Sequence, residues 1–541
     1  MSRWEDASLA SLFPDAGAVP TRVQVDAAAH RPRWLVDGVI HDFRGPTKPV
    51  TSRVATRAGA ALAPTVLGHE ARLSAADAQL ALAAATKAWG RGEGEWPSAP
   101  FARRAEAVRA FAKAVAAKTD AIATLLMWEI GKPWASARDE VTRSVEYIDN
   151  TLSELDRLRG EDAVLQDGVA GKKVHHARTE RRPLGKVLCV APFNYPVNEF
   201  LTTVVPALLM GNVVLAKTPR FGVLANLLLL EAFRDCFPAG VVSLLPGDGK
   251  VVIPALMGAV EKDLHGNPSA VIDVLAFIGS EGAANAILKA HPVPITLHKV
   301  LGLGAKNVSV VLPGADLEAA SAALVKGALG FNGQRCTAEK LVFAHRSIAD
   351  AFVAKLVAKV EALKVGMPWD EGVAATPLPE EPKLPWMREL LDDAVGKGAR
   401  VVNARGGEGT FSLMRPAVVF PVREGMRLFH EEQFGPLLAV ATFDDAQEVI
   451  DWQRRSPYGQ QAAVWGPIDS AGRLARAFSR FVARVNLNDV CQRGPDSFGF
   501  TATDKSGFGT LSLREALLSF SRPVLLQSPD AAALEAVPNG G

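Results

Sequence analysis

The chain has 541 residues, of which 48% are hydrophobic and 22% charged, and its formal net charge is +2. This composition excludes a largely disordered chain. The balanced charge gives no indication that the chain as a whole binds nucleic acid or an anionic membrane surface. The four cysteines show no paired spacing, which argues against a disulfide framework and favours a reducing, cytoplasmic setting.

Targeting, membrane and metal signals are not found in the sequence. The N-terminus has no basic segment followed by an apolar run, so no secretory signal is expected. The longest uncharged stretch, 200–216, is too short for a membrane span and contains Pro206. Neither His69 nor the pair His175-His176 has the partners of a metal site, so no metal is expected.

The first third of the chain predicts an irregular arm followed by helices. Residues 1–50 lack a sustained period, apart from a short strand pair around 34–36. The pattern becomes helical at Ser74, and a protruding strand is predicted at 174–176. Further helices are predicted over 101–118, 119–131 and 137–158.

After Pro183 strands and helices alternate. The strands are predicted over 186–191, 213–216, 241–245 and 274–278, and the helices over 198–210, 223–236 and 281–291. This alternation indicates right-handed crossovers and a mainly parallel sheet. A second alternating block, from Val308 to about Arg480, predicts another α/β domain, and the tail from Ser528 is expected to fray.

One cysteine lies in a setting that differs from the other three. Cys336 occupies a loop rich in glycine and polar residues, between a helical stretch, 317–329, and an apolar strand, 341–343. Arg335 precedes it, and a neighbouring cation favours the thiolate, which is the form that attacks carbonyl carbons. Cys336 is therefore the candidate nucleophile.

Four ordered motifs carry a resemblance to the aldehyde dehydrogenase superfamily that runs from about residue 73 to 521. The motifs are Pro192-Phe193-Asn194-Tyr195-Pro196, Phe277-Ile278-Gly279-Ser280, Phe331-Asn332-Gly333-Gln334-Arg335-Cys336-Thr337-Ala338 and Glu432-Gln433-Phe434-Gly435-Pro436. Within the superfamily the chain resembles the non-phosphorylating, NADP-dependent glyceraldehyde-3-phosphate dehydrogenases, through Asn194–Asn198, Gly333–Ala338 and Gln492–Asp496.

The resemblance implies an α/β fold with a Rossmann-like dinucleotide domain, an α/β catalytic domain and a small oligomerisation element, in a homodimer or homotetramer. We expect the cofactor-binding domain over 1–162 and 183–303, the catalytic domain over 304–508, and the oligomerisation element over 163–182 and 509–541, the last with the tail.

The resemblance also implies the roles of the catalytic residues. Cys336 attacks an aldehyde, hydride leaves for the nicotinamide, and a thioester forms. Asn194 and the backbone N–H of Cys336 are implied as the oxyanion hole, in which one donor typically contributes about 2.7–4 kcal/mol.

NADP is the expected cofactor, and NAD is the alternative. Lys217 ends a strand, and Arg220 stands where NAD-preferring members commonly have a Glu that binds the adenosine ribose hydroxyls. A cation cannot accept those bonds but pairs with a 2′-phosphate. The resemblance further implies that Gly279 and Ser280 receive the pyrophosphate at a helix start, and that Glu432 holds the nicotinamide ribose.

A phosphorylated aldehyde, glyceraldehyde 3-phosphate, is the expected substrate, and 3-phosphoglycerate is the product. A phosphate needs converging cations, and guanidinium groups donate two parallel bonds to it. The resemblance implies four substrate-binding positions: Arg143, Tyr195, Arg335 and Arg493.

The chain departs from the family at one catalytic position. The Glu that normally activates the deacylating water is replaced by Gly302, and glycine cannot accept a proton. Three alternatives follow: another base substitutes, with His298 and Glu339 nearby in sequence; coenzyme A takes the acyl group; or the protein binds cofactor, acylates once and stalls, as a sensor or scaffold would.

Overall fold

The computed structural model describes residues 3–59, 61–162, 165–170, 173–263 and 265–537. None of the helices in these ranges is both long and apolar enough to cross a membrane. The helices are α1 Ala75–Trp89, α2 Phe101–Ala116, α3 Thr119–Ile130, α4 Trp134–Asp162, α5 Asn198–Leu209, α6 Val223–Leu227, α7 Leu230–Cys236, α8 Gly249–Met257, α9 Glu281–Ala290, α10 Leu317–Leu329, α11 Arg346–Glu361, α12 Lys383–Gly396, α13 Arg427–His430, α14 Ala446–Arg455, α15 Ile468–Phe478, α16 Leu513–Ser519 and α17 Ala531–Glu535.

The strands of the first half are β1 Arg33–Val36, β2 Val39–Asp42, β3 Thr47–Ala58, β4 Ala61–Ala71, β5 Gln166–Ala170, β6 Lys173–Pro183, β7 Lys186–Val190, β8 Val213–Lys217, β9 Val242–Leu245, β10 Val260–Lys262, β11 Pro268–Ala270, β12 Val274–Ile278 and β13 His298–Gly302. Those of the second half are β14 Val308–Val311, β15 Leu341–His345, β16 Lys364–Val365, β17 Val373–Ala375, β18 Arg400–Val401, β19 Gly409–Thr410, β20 Leu413–Met414, β21 Ala417–Phe420, β22 Leu437–Phe443, β23 Tyr458–Gly459, β24 Gln461–Trp465, β25 Arg484–Leu487, β26 Phe500–Thr501, β27 Thr503–Asp504, β28 Gly507–Phe508, β29 Thr510–Leu511 and β30 Ser521–Ser528.

The first large sheet has the strand order β2-β1-β9-β8-β7-β12-β13-β28. Its five central strands are parallel, and they are apolar runs because helices cover both faces. The strand order reverses between β7 and β12, and open parallel sheets bind ligands beyond the carboxyl ends of the strands at such a switch point. The loop with Asn194 follows β7, Lys217 ends β8, and Gly279 follows β12, so the cofactor candidates share this edge.

The second large sheet has the order β18-β21-β22-β15-β14-β24-β25 and is parallel except at β18. Residues 303–307 connect the carboxyl end of β13 to the amino end of β14. The carboxyl edge of the first sheet is therefore joined to the amino edge of the second by five residues, and the loop carrying Cys336 precedes β15 on that amino edge.

A smaller sheet has the order β30-β6-β5 and is antiparallel, with Ser521 opposite Pro183. Its strands lie within the predicted oligomerisation element, apart from Pro183 at the end of β6. Residues 163, 164, 171 and 172 of that element, residues 538–541 of its second part, and residues 1, 2, 60 and 264 of the predicted cofactor-binding domain lie outside the described residues. The predicted domain boundaries remain predictions.

Two predicted elements differ from the structure. The helix expected over 223–236 is divided into α6 and α7. The tail expected to fray from Ser528 instead forms α17, whose Leu534 is buried and whose backbone accepts a hydrogen bond from Arg178. Apolar residues spaced along a short helix are enough to dock it, even in a segment rich in alanine and proline.

Candidate active site

The nucleophile loop, 330–340, has an unusual backbone that fixes the position of Cys336. Phe331, Asn332 and Gly333 lie consecutively in the left-handed region, with φ of 51°, 54° and 69°. A side chain at Gly333 would meet the carbonyl oxygen of Gly435 at 2.5 Å, so the loop requires glycine there. Buried Asn332 pins the loop further because its amide donates to the carbonyl of Thr376 at 3.0 Å.

Asn307, a residue that the sequence did not single out, holds the loop from the other side. Its side-chain amide donates to the carbonyl of Cys336 at 2.7 Å, and its own carbonyl accepts from the backbone N–H of Lys340 at 2.8 Å. The residue stands at the end of the linker between the two sheets, immediately before β14. The nucleophile is therefore tied directly to the junction of the sheets.

The Cys336 thiol is half-buried, and loss of hydration raises its pKa to about 11. The carboxylate of Glu199 adds to the rise, and the guanidinium of Arg493 opposes it. The lowered pKa expected from Arg335 is wrong for the free enzyme, because that guanidinium donates to the carbonyl of Gly327 in α10. At neutral pH Cys336 is mainly a thiol and needs a proton acceptor.

Asn194 contacts the nucleophile loop. Its side-chain Nδ2 donates to the carbonyl of Gln334 at 2.9 Å, two residues before Cys336. The Asn194 carbonyl in turn accepts from the buried Lys132 ammonium at 2.9 Å, and Lys132 forms an ion pair with buried Glu140. No motif in the sequence predicted this pair: Lys132 lies in the Gly131–Pro133 break between α3 and α4, and Glu140 is an ordinary acidic residue of α4.

Arg143 and Arg493 lie on opposite sides of one carboxylate. Asp496 is 3.9 Å from Arg143 and 3.6 Å from Arg493. Arg493 is nearly buried, and its Nη1 forms an ion pair with Glu199, while its Nη2 has no hydrogen-bond partner among the described residues. A buried donor without a partner is costly, so this atom is suited to an anionic ligand.

Tyr195 and Arg335 have other contacts. The Lys132 ammonium lies 3.6 Å from the centre of the Tyr195 ring, and burial raises the pKa of the phenol to about 12, although the Arg335 guanidinium opposes the rise. Arg335 donates to α10 through the carbonyl of Gly327, while its Nε has no hydrogen-bond partner among the described residues. The structure thus places Arg143 and Arg493 beside the same carboxylate, while the Arg335 side chain is bonded to α10.

On the cofactor side, Lys217 and Arg220 follow the end of β8. Lys217 is buried and donates to the carbonyl of Thr218 at 2.7 Å, and burial lowers its pKa to about 8. Arg220 is exposed, lies 5.0 Å from the centre of the Phe221 ring and makes no ion pair with a described carboxylate. The hydroxyl of Thr218 is buried without a partner among the described residues, so this edge has unused polar groups.

Two further features fit a dinucleotide. Ser280 is the N-cap of α9, where its side chain accepts from the N–H of Ala283, and helix starts of this kind bind phosphate. Glu432 is half-buried, and loss of hydration raises its pKa while the Lys340 ammonium opposes the rise. Its Oε1 has no hydrogen-bond partner among the described residues. A side chain at Gly304 would meet Glu432 at 2.7 Å, so glycine makes room for this carboxylate.

Across the described ranges, no group of three or more His, Cys, Asp and Glu side chains is placed to hold a metal ion. The site therefore consists of a thiol, an amide donor, an anion pocket and the carboxyl edge of a dinucleotide-type sheet.

Comparisons with known proteins agree with this geometry. Residues 57–524 match the model of the aldehyde dehydrogenase family. The chain is 35% identical over 429 residues to the NADP-dependent glyceraldehyde-3-phosphate dehydrogenase of Streptococcus equinus, which covers 78% of this chain and 85% of that protein. It is 31% identical over 375 residues to the 3,6-anhydro-alpha-L-galactose dehydrogenase of Vibrio sp. (strain EJY3), which covers 68% of this chain and 75% of that protein.

Among solved structures, the NADP complex of NADP-dependent glyceraldehyde-3-phosphate dehydrogenase from Bacillus halodurans C-125 superposes with a TM-score of 0.83. Its sequence is 30% identical, and the superposition covers 92% of this chain and 99% of that one.

Proposed function

The chain belongs to the aldehyde dehydrogenase family, and we propose that it oxidises glyceraldehyde 3-phosphate to 3-phosphoglycerate with NADP as the hydride acceptor. The fold, the nucleophile loop and the named relatives make it an NADP-dependent aldehyde dehydrogenase. The observation that carries the phosphorylated substrate is the unpartnered Nη2 of buried Arg493, with Arg143 beside the same carboxylate.

Each residue of the site has a separate role in the proposed reaction. Cys336 Sγ forms the bond to the aldehyde carbon, and Asn194 Nδ2, already directed at the nucleophile loop, stabilises the oxyanion. Bound NADP supplies the hydride acceptor for this step. Glu432 and the N-terminus of α9 would hold its nicotinamide ribose and pyrophosphate, and Arg220 its 2′-phosphate.

The substrate end of the site is suited to an anion. Arg143 is 42% exposed in its side chain, so it can move onto a phosphate without disrupting the core. Arg493 is held in place by Glu199 and Asp496 through Nη1 and Nε, which leaves Nη2 for the substrate. Both guanidinium groups are thus available to one ligand group.

The test compares glyceraldehyde 3-phosphate with glyceraldehyde, using NADPH formation to measure kcat and KM. The wild type should prefer the phosphorylated substrate. A charge-assisted hydrogen bond contributes about 1.5–3 kcal/mol, so Arg143→Ala should raise KM for that substrate by about tenfold or more and leave KM for glyceraldehyde almost unchanged. Arg493→Ala should act in the same direction.

The matched control is Arg138→Ala, which removes an exposed arginine of the same helix, and it should affect neither substrate. Equal effects of Arg143→Ala on both substrates, or a wild type without preference for the phosphate, would contradict the assignment of glyceraldehyde 3-phosphate.

We also propose a homodimer or homotetramer that assembles through the β30-β6-β5 sheet in the cytoplasm. The support is exposed apolar side chains on both faces of these strands: Val169 and Val174 are paired on one face and are exposed by 76% and 50%, and Leu525 is exposed by 57% on the other. Monomeric proteins seldom expose such side chains together on one sheet. Light scattering should show an oligomer that Leu525→Asp weakens, whereas a monomeric wild type would contradict this assignment.

A further inference from the structure

Hydrolysis of the thioester lacks a base at the position where the family resemblance implies one. Gly302 ends β13 beside Ile278, and it offers no proton-accepting side chain. Without a base, water attacks a thioester slowly, and general-base catalysis is typically worth about 10²–10⁴-fold. If the protein turns over as an aldehyde dehydrogenase, another group must take the proton of water.

The candidates named from the sequence are not placed for this role. His298 is exposed and lies at the opposite end of β13 from Gly302. Glu339 is buried, its Oε1 accepts from the N–H of Cys491 at 2.6 Å, and its carboxylate packs against Gly327 of α10. Glu339 therefore supports the loop and is sealed from water.

Glu432 is committed to the cofactor side of the site. Its carboxylate accepts from the N–H of Ala305 and lies 3.9 Å from the Lys340 ammonium, and it fills the space beside Gly304. It is also the residue that fits the nicotinamide ribose.

We propose that Glu199, in the first turn of α5, is the base that activates the deacylating water. The proposal rests on the proposed aldehyde dehydrogenase chemistry and adds a catalytic residue to it. Two loops place this carboxylate beside the nucleophile. The Asn194 loop, which leads directly into α5, donates to Gln334, and the loop carrying Arg493 is fixed to Glu339 through Cys491.

The contacts of Glu199 agree with this placement. The Arg493 guanidinium binds one carboxylate oxygen, Oε2, and fixes the orientation of the side chain, which is 10% exposed. After burial itself, Glu199 is the largest influence on the pKa of Cys336, and it acts in the direction expected of a nearby negative charge. The carboxylate is thus bonded to Arg493 and close enough for its charge to act on the thiol.

The proposed step is balanced in protons and electrons. The water oxygen forms a bond to the thioester carbon while Glu199 takes one proton, and the resulting oxyanion is held by Asn194. The carbon–sulfur bond then breaks with its electron pair on sulfur. The thiolate of Cys336, whose pKa is about 11, recovers the proton from Glu199, and the released carboxylic acid ionises in solvent.

The main experiment is rapid-mixing measurement of NADPH formation by Glu199→Gln. The variant should still give a burst of about one NADPH per active site, because attack and hydride transfer are retained. Its steady-state rate should fall by about 10²–10⁴-fold, and intact-mass spectrometry should show the acylated protein accumulating. A variant that turns over like the wild type would overturn the proposal.

A rescue separates a chemical role from a structural one. At Gly302 a Cβ would lie 3.4 Å from Ile278, an ordinary contact, so Gly302→Glu can be built. In the Glu199→Gln background, Gly302→Glu should raise the steady-state rate at least tenfold. Failure of the rescue, while Gly302→Glu alone remains active, would show that Glu199 only supports the site.

Two controls keep the result independent of the substrate assignment. Hydrolysis of p-nitrophenyl acetate acylates Cys336 without aldehyde or NADP, and Glu199→Gln should slow its steady state but not its burst, even if glyceraldehyde 3-phosphate is the wrong substrate. Glu146→Gln removes an exposed acid of α4 outside the site and should leave the ratio of burst to steady-state rate unchanged. Acceleration of the wild type by coenzyme A would overturn the proposal in favour of thiol transfer.

Discussion

The buried pair formed by Lys132 and Glu140 supports Asn194, the residue proposed for the oxyanion hole, and removing the acid of the pair tests this support. Glu140 pairs with Lys132 and also accepts from the backbone N–H groups of Val197 and Asn198, at 3.0 and 3.1 Å. Lys132 in turn donates to the carbonyl of Asn194. Glu140→Ala would therefore leave one buried ammonium and two buried amides without their acceptor.

The expected magnitude follows from burial. Both side chains of the pair are at most 1% exposed, and removing one partner of a buried ion pair typically costs about 3–5 kcal/mol. We expect Glu140→Ala to lower the free energy of unfolding by that amount, measured by urea denaturation at neutral pH. The value of kcat should also fall, because Asn194 loses the ammonium that fixes its backbone.

The control is an exposed ion pair between α3 and α4. Asp120→Ala removes the partner of Arg138, and this pair is 71% and 57% exposed, so its loss should cost less than about 1 kcal/mol. The reasoning is refuted if Glu140→Ala costs no more than Asp120→Ala, since burial would then not determine the strength of the pair.

Three further outcomes are expected. Arg220→Glu should lower the ratio of NADP affinity to NAD affinity by more than about tenfold, measured by titration, because it removes a charge-assisted bond to the 2′-phosphate. The same charge change at exposed Arg476 should leave this ratio unchanged. Burial raises the pKa of Glu129 to about 8 from its ordinary value of 4.5, so the folded state binds this proton more tightly than the unfolded state does. The free energy of unfolding therefore falls as pH rises from 4.5 to 8. Glu129→Gln should therefore gain stability relative to the wild type as pH rises from 4.5 to 8 in urea titrations, and a constant difference would contradict the assignment. Excess NADPH should slow deacylation in Gly302→Glu but not in the wild type, if Glu199 is the wild-type base.

Local sequence patterns predicted the elements that bear the motifs. The strand predicted over 274–278 is β12, and the helix predicted over 281–291 differs from α9 by one residue. An apolar run or a helix cap depends only on residues that are adjacent in the sequence, so the sequence alone predicts these elements. The strand order and the carboxyl edge then bring Asn194 and Gly279 to one place.

The charged contacts beneath the site could not be predicted in the same way. Glu199 has the sequence context of an ordinary acidic residue in the first turn of a helix, and its partner Arg493 is 294 residues away. The orientation of the Arg335 side chain could not be predicted either, because its neighbour in sequence is Cys336 while its hydrogen bond is to α10. Adjacency in the chain gives no information about which way a long side chain turns.

A base at position 302 and a base at position 199 would lie beside different ligands. The Gly302 carbonyl accepts from the N–H of Gly279 at 2.9 Å, so a carboxylate there would adjoin the cofactor turn. Glu199 instead pairs with Arg493, whose Nη2 has no partner among the described residues and is the donor proposed for the substrate phosphate. A base on the cofactor side must wait for the nicotinamide to leave, whereas a base on the substrate side can act while the cofactor is still bound. The proposed role of Glu199 therefore makes the replacement of an acid by Gly302 compatible with turnover, because a base beside Arg493 would act on the thioester from the substrate side.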